Sequence, residues 1–225
     1  MRDLFINDFV SHYRITTRDI VADEYEVQDD PFEMADSAAS PIVDEGNGLL
    51  KMHNVDGGMN VFAYERFINS CKKPLSFQNG RKRCDLVLTS RTNAELACLV
   101  EFTSTIGNTS NLTKPILNED GSTQYAGGKM EKAEVQLTES LKTMLAVPTI
   151  AGDMNARIHR VCMAAYRIFP ILDPAVRMRY PDSRYKQIEA RETGEDGAII
   201  SMPSIESLGF EYRRVAYPTV VRLIK

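Results

Sequence analysis

The sequence predicts a single α/β domain built on a mixed central sheet. Three observations carry that prediction. Residues 85–103 read as a hairpin: Asp85-Leu86-Val87-Leu88-Thr89, a turn of Ser90-Arg91-Thr92-Asn93, then Leu96-Ala97-Cys98-Leu99-Val100-Glu101-Phe102-Thr103. Residues 129–145 read as an amphipathic helix, with Met130, Ala133, Leu137, Leu141 and Met144 on one stripe. Residues 157–168 are rich in apolar and β-branched side chains and read as a long strand. Strand, crossover helix and returning strand make a parallel unit, whereas the hairpin is antiparallel, so the sheet is mixed.

The other elements follow in order. Phe5, Phe9 and Tyr13 share one helical stripe, which predicts a docking helix over 3–14. Residues 23–36 carry seven acids and read as a solvated loop or helix, or alternatively as a surface for a partner. Residues 35–48 have the composition of a connection. Val61, Tyr64, Ile68 and Cys71 predict a helix over 60–71 with Asn60 as its N-cap. Leu75-Ser76-Phe77 is a short strand, and Asn79-Gly80 a turn. Residues 104–128 are polar, with Gly, Asn, Ser and Pro throughout, and read as a long loop leaving the end of the Glu101 strand. Arg177, Arg179, Arg184 and Lys186 interleave with Tyr180 and Tyr185, which suits either a nucleic-acid grip or a polar surface. Ser204 is placed to cap a short helix ending at Gly209, and residues 210–216 and 220–224 read as terminal strands.

Length and composition fit one domain over residues 1–225, with an acidic segment at 1–50, a core at 58–168 and a C-terminal extension from 169. The net charge of -4 conceals an asymmetry. Residues 1–50 hold 3 basic and 12 acidic side chains, while both later stretches are mildly basic. That distribution permits a nucleic-acid surface without requiring one. Four cysteines without a CxxC pair, and three histidines without ligand spacing, argue against zinc. No apolar run is long enough for a bilayer, and no signal peptide is visible, so a reducing, cytoplasmic setting is expected.

The hairpin also carries chemistry. Pairing centred on residue 93 sets Asp85 opposite Glu101, on one face of the sheet, with Thr103 pointing the same way. Adjacent carboxylates repel unless something sits between them, and a hard divalent cation is a common answer; the alternative is that both are solvated at strand ends. Glu65 lies in the mostly apolar 60–71 segment, as a surface or salt-bridged group or as part of a site. Arg81-Lys82-Arg83 precedes Asp85 directly and forms either a solvated hairpin tip or a holder of phosphate oxygens.

Helix, strand, strand with Asp85, strand with Glu101, helix, strand is an αβββαβ order. Over residues 58–168 it resembles the core of the PD-(D/E)xK nucleases, the restriction-endonuclease-like fold. In that resemblance Asp85 matches the motif Asp, Glu101 the motif acid, Gln136 the Gln of the following helix, and Glu65 the helical Glu of some members. It implies a Mg²⁺- or Mn²⁺-dependent nuclease acting on DNA, with Asp85, Glu101 and Glu65 as metal ligands. Gln136 would position water or phosphate. Arg81, Lys82, Arg83 and Lys129 would contact nucleic acid. Thr103 stands where the family has Lys, so the cationic role would pass to Lys132 on the neighbouring helix, with Lys129 beside it. Without that replacement the resemblance implies an inactive nuclease-like subunit. A further alternative is an interaction or immunity-type protein whose acidic N-terminal segment meets a protein partner.

Overall fold

A computed structural model describes residues 1–71, 83–106, 116–117, 123–124, 128–169, 194 and 196–224. The first helix, α1, runs π-helically over Leu4–Phe9 and continues as Val10–His12. Strands β1 (Glu24–Val27), β2 (Phe32–Met34), β3 (Ile42–Val43), β4 (Leu50–Met52) and β5 (Met59–Phe62) follow, then helix α2 (Tyr64–Ser70). The hairpin is β6 (Leu86–Ser90) and β7 (Leu96–Ile106). A two-residue pair, β8 (Ile116–Leu117) and β9 (Thr123–Gln124), precedes helices α3 (Lys129–Leu145) and α4 (Pro148–Asn155). The chain closes with β10 (His159–Phe169), β11 (Ala198–Ile199), α5 (Pro203–Glu206), β12 (Glu211–Ala216) and β13 (Val220–Val221).

The centre is a seven-stranded mixed sheet ordered β1-β5-β6-β7-β10-β12-β11. β7, β10 and β12 are parallel, and the other pairs are antiparallel. Alternation along each strand sends residues to two cores. One face buries Val87, Leu99, Ala164 and Tyr212 against α1, α2, α3 and α4. The other buries Val61, Leu88, Val100 and Met163 against a second sheet, β13-β4-β2-β3, through Phe32, Met34, Leu50 and Met52. No helix among the described residues is long and apolar enough to cross a membrane. All four cysteines are buried, and none of them forms a disulfide.

Several expectations change. The helix over 60–71 is shorter, because 59–62 is a strand paired with β6, and Asn60 lies within it rather than capping a helix. Val61 packs in the core against the second sheet and Tyr64 in the core against the helices. A strand that runs into a helix can place Val61 and Tyr64 on opposite faces of the sheet, whereas one helical stripe cannot. The acidic 23–36 stretch is neither loop nor helix but contributes β1 and β2, because Tyr25, Val27, Phe32 and Met34 supply apolar surface between the acids. α5 starts at Pro203 after Met202, so Ser204 is helical rather than a cap. The strand beside β6 precedes α2 instead of following it, so the order around the hairpin is strand, helix, strand, strand, helix, strand. The strand expected at 75–78, Arg81, Lys82, most of residues 104–128 and the basic–aromatic stretch at 177–186 lie outside the described residues.

The turn into β5 needs glycine. Gly57 has φ +83, and a Cβ there would stand 2.0 Å from Thr92 Oγ1 in the β6–β7 turn. Gly57→Ala is therefore expected to cost about 2 kcal/mol or more, a fall in Tm of roughly 4–8 °C in a thermal melt.

Candidate metal centre

The centre is assembled where β6 begins. The pairing Leu86↔Val100 and Val87↔Leu99, continued by one residue, sets Asp85 opposite Glu101. The Asp85 N–H donates to the Val100 carbonyl at 3.0 Å. The Phe102 N–H donates to Asp85 Oδ2 at 2.6 Å, which leaves the second carboxylate oxygen for another partner. Helix α2 docks at the same point, since the Glu65 N–H donates to the Asp85 carbonyl at 3.2 Å. Helix α3 grips the residues just before Asp85: Gln136 Nε2 donates to the Arg83 carbonyl at 2.6 Å and the Cys84 N–H donates to Ser140 Oγ at 2.7 Å. The long helix thus holds the start of β6 in place, although α3 is far away in sequence.

Glu101 lies in the middle of the sheet, on the face covered by α3. It is 5% exposed, and its Oε2 has no hydrogen-bond partner among the described residues. Burial, with the Asp85 and Glu65 charges adding to it, pushes its carboxyl up to about 10. Burial also pushes Asp85 up to about 7, against the Phe102 N–H, with Asp36 and Glu65 contributing repulsion. The positive charge of Lys132 on α3 opposes both shifts. Ionised carboxylates here are therefore short of compensation among the described residues.

Asp85, Glu101, Glu65 and Lys132 act on one another's charge, and Gln136 reaches the start of β6 through the Arg83 carbonyl. Gln136 is buried, and its Oε1 has no hydrogen-bond partner among the described residues. Lys129 is exposed at the start of α3, and its Nζ donates to the Ser104 carbonyl, which fastens the helix to the end of β7. Arg83 is half-buried. Thr103 is half-buried two residues beyond Glu101, paired with Tyr166 of β10.

One residue of the cluster has no signal in the sequence. Asp36 follows β2, and its carboxylate lies within 4.8 Å of those of Glu65 and Asp85, each of the three within that distance of the other two. It is one of seven acids in its stretch, and only the fold, by carrying the second sheet past the end of α2, distinguishes it from the others.

Comparison with known proteins adds no relative: no family model, no curated protein and no solved structure matches the chain.

Proposed function

We propose that the chain is a metal-dependent nuclease that hydrolyses phosphodiester bonds of DNA on the restriction-endonuclease-like plan. The observation that carries this reading is the buried, unpartnered carboxylate oxygen of Glu101 beside Asp85, at the junction of β6, β7, α2 and α3. A buried carboxylate oxygen with no donor to its lone pairs is costly, and a bound cation is what would remove that cost. The donors fit a hard divalent ion such as Mg²⁺ or Mn²⁺, because they are carboxylate oxygens. Asp85, Glu101 and Glu65 would hold the ion, which supplies activation of water and stabilisation of charge on the phosphate.

The chain's own residues do the rest. The Phe102 N–H keeps Asp85 oriented. The Lys132 charge, which already acts on both carboxylates, serves the developing negative charge on phosphate in place of the Lys that Thr103 lacks. Gln136 spends its amide N–H on Arg83 and keeps its carbonyl oxygen to accept from water. Arg83 puts a positive charge two residues before Asp85, where the phosphate backbone would approach. Thr103 supports a second reading, a nuclease-like subunit without cleavage that acts inside a complex.

The test uses supercoiled, linear and single-stranded DNA, and RNA, with Mg²⁺ and then Mn²⁺. Cleavage that falls by at least about 10³-fold in Glu101→Ala and about 10²-fold in Lys132→Ala is the expected result. A folded wild type that cuts none of these substrates overturns the enzyme and leaves the inactive subunit.

A further inference from the structure

The far end of the central sheet, where the parallel strands β10 and β12 begin, holds a cavity of about 240 Å³. His159, the first residue of β10, pairs with Leu96, whereas Glu101 pairs with Ala164, five residues further on. At roughly 3.3 Å per residue the cavity lies about 16 Å along the sheet from the candidate metal centre. Its polar groups are His159, Arg160, Glu211 and Arg213, and its apolar wall is Val161 and Leu223. Ile158, 73% exposed, stands at its lip.

The two arginines differ in how they are held. Arg213 pairs with Glu211 through Nε, and its Nη1 donates to the Asp196 carbonyl at 3.3 Å. Arg160 faces no carboxylate within ion-pair distance among the described residues, and its one hydrogen bond there runs from Nη1 to Asn155 Oδ1 at 3.3 Å. The Arg160 guanidinium lies over Gly209, which has φ +81 and no side chain to intervene. A Cβ there would stand 3.5 Å from Nη1, 3.7 Å from Cζ and 3.9 Å from Nη2. The backbone thus supports one face of the guanidinium, and the remaining N–H groups of its fork have no acceptor among the described residues. Two guanidiniums less one carboxylate leave the cavity with one positive charge when His159 is neutral.

We propose that this cavity binds a small organic carboxylate with a short apolar body. A single positive charge calls for a monoanion, and a planar carboxylate matches the open edge of the Arg160 guanidinium in a two-point contact. Val161, Leu223 and Ile158 supply surface for a hydrocarbon group. The volume lies below the roughly 300–1,000 Å³ of pockets for drug-sized ligands, which suits an acid with a branched chain or a single ring and not a nucleotide. The site shares no residue with the candidate metal centre and needs none of its chemistry.

An NMR chemical-shift titration of the full chain with benzoate, isovalerate, phenyl phosphate and the uncharged benzamide tests this assignment. A carboxylate is expected to bind with Kd on the order of 1 mM or tighter, and benzamide at least about tenfold more weakly. Arg160→Gln should weaken the carboxylate at least about tenfold, and Arg160→Lys, which keeps the charge and loses the fork, by less. Arg160 is half-buried with one hydrogen bond, so both variants should melt with wild type, which checks folding. Should they melt lower, the comparison of benzoate with benzamide on wild type decides. Neither carboxylate binding at about 10 mM overturns the proposal. Equal binding of benzoate and benzamide overturns it, as does carboxylate binding that Arg160→Gln leaves unaltered. Phenyl phosphate bound tighter than both carboxylates overturns the carboxylate and assigns the cavity to a phosphate monoester.

Discussion

Glu101→Gln is expected to make the cation-free protein more stable while abolishing cation binding beside Asp85 and cleavage with it. The reason is the direction of the Glu101 shift. Its carboxyl is pushed up to about 10 in the folded chain, so the fold prefers the protonated form. A group raised in this way contributes its stability below its unfolded pKa, near 4.5, and loses it as pH rises toward the folded value. At pH 8 an unfolded chain ionises Glu101 freely and the folded chain does not. Gln removes that penalty and places an N–H donor beside Asp85. A gain of about 2 kcal/mol, on the order of 5 °C in Tm, is expected at pH 8 in EDTA, and almost none at pH 4. Asp85→Asn follows the same sign in a narrower window, since Asp85 is raised only to about 7. Added Mn²⁺ should raise the Tm of wild type and leave Glu101→Gln nearly unmoved. A Glu101→Gln protein that melts lower than wild type in EDTA at pH 8 would mean that the carboxylate is compensated in the folded chain.

What the sequence made legible was local. The 17 residues of α3 and the long β10 could be read from periodicity alone, because each buries a continuous apolar face. The facing of Asp85 and Glu101 was legible because a short hairpin ties register to the turn, and a shift of one residue would put Val87 and Leu99 on the wrong face. What was not legible depends on contacts distant in sequence. Val61 and Tyr64 fit a helical stripe on paper, and only pairing with β6 shows that they serve opposite cores. Asp36 joins Glu65 and Asp85 because a second sheet folds across the first, and no spacing between residues 36, 65 and 85 encodes that. Thr103 was correctly visible as an uncharged residue at a position where the resemblance asks for Lys. That Lys132 reaches the same field from α3 is a property of the packed helix.

The same physics with the opposite sign acts at Glu33, and its loss should be the most damaging single change in the second sheet. Glu33 is 3% exposed on β2. Its Oε2 accepts from the Gly46 N–H at 3.0 Å and the Gly48 N–H at 2.9 Å, Tyr217 Oη donates to Oε1 at 3.3 Å, and Lys51 Nζ stands 3.6 Å away. Gly48 has to be glycine for this, as a Cβ there would come within 2.7 Å of Glu33 Oε2. Arg167 of β10 clamps the other side of the loop by donating to the Gly46 and Gly48 carbonyls at 2.8 Å and lying 4.1 Å over the Tyr217 ring. One carboxylate thus joins β2, the 44–49 loop and the end of the central sheet. Burial, the largest single cause, would raise its pKa, but the Gly46 and Gly48 N–H donors, the Tyr217 hydroxyl and the Lys51 charge together hold it below the ordinary carboxylate value. Its stability is therefore present above the unfolded pKa near 4.5 and lost as pH falls through the lower folded value. Glu33→Ala takes the acceptor from the Gly46 N–H and the buried Gly48 N–H, while Lys51 keeps Glu45 at 2.7 Å, for an expected cost of about 3 kcal/mol, or roughly 6–12 °C in Tm. Glu33→Gln should recover part of this and lose the acid limb of the pH profile. In EDTA the wild type should be most stable near the unfolded carboxylate values of 3.8 and 4.5, with the acid limb set by Glu33 below them and the decline set by Asp85 and Glu101 running upward from them to about 7 and about 10. Each variant should remove its own side of that curve and leave the other. A melting series from pH 3 to pH 9 reads both limbs, and a Glu33→Gln protein that keeps the wild-type acid limb would assign that limb to other carboxylates.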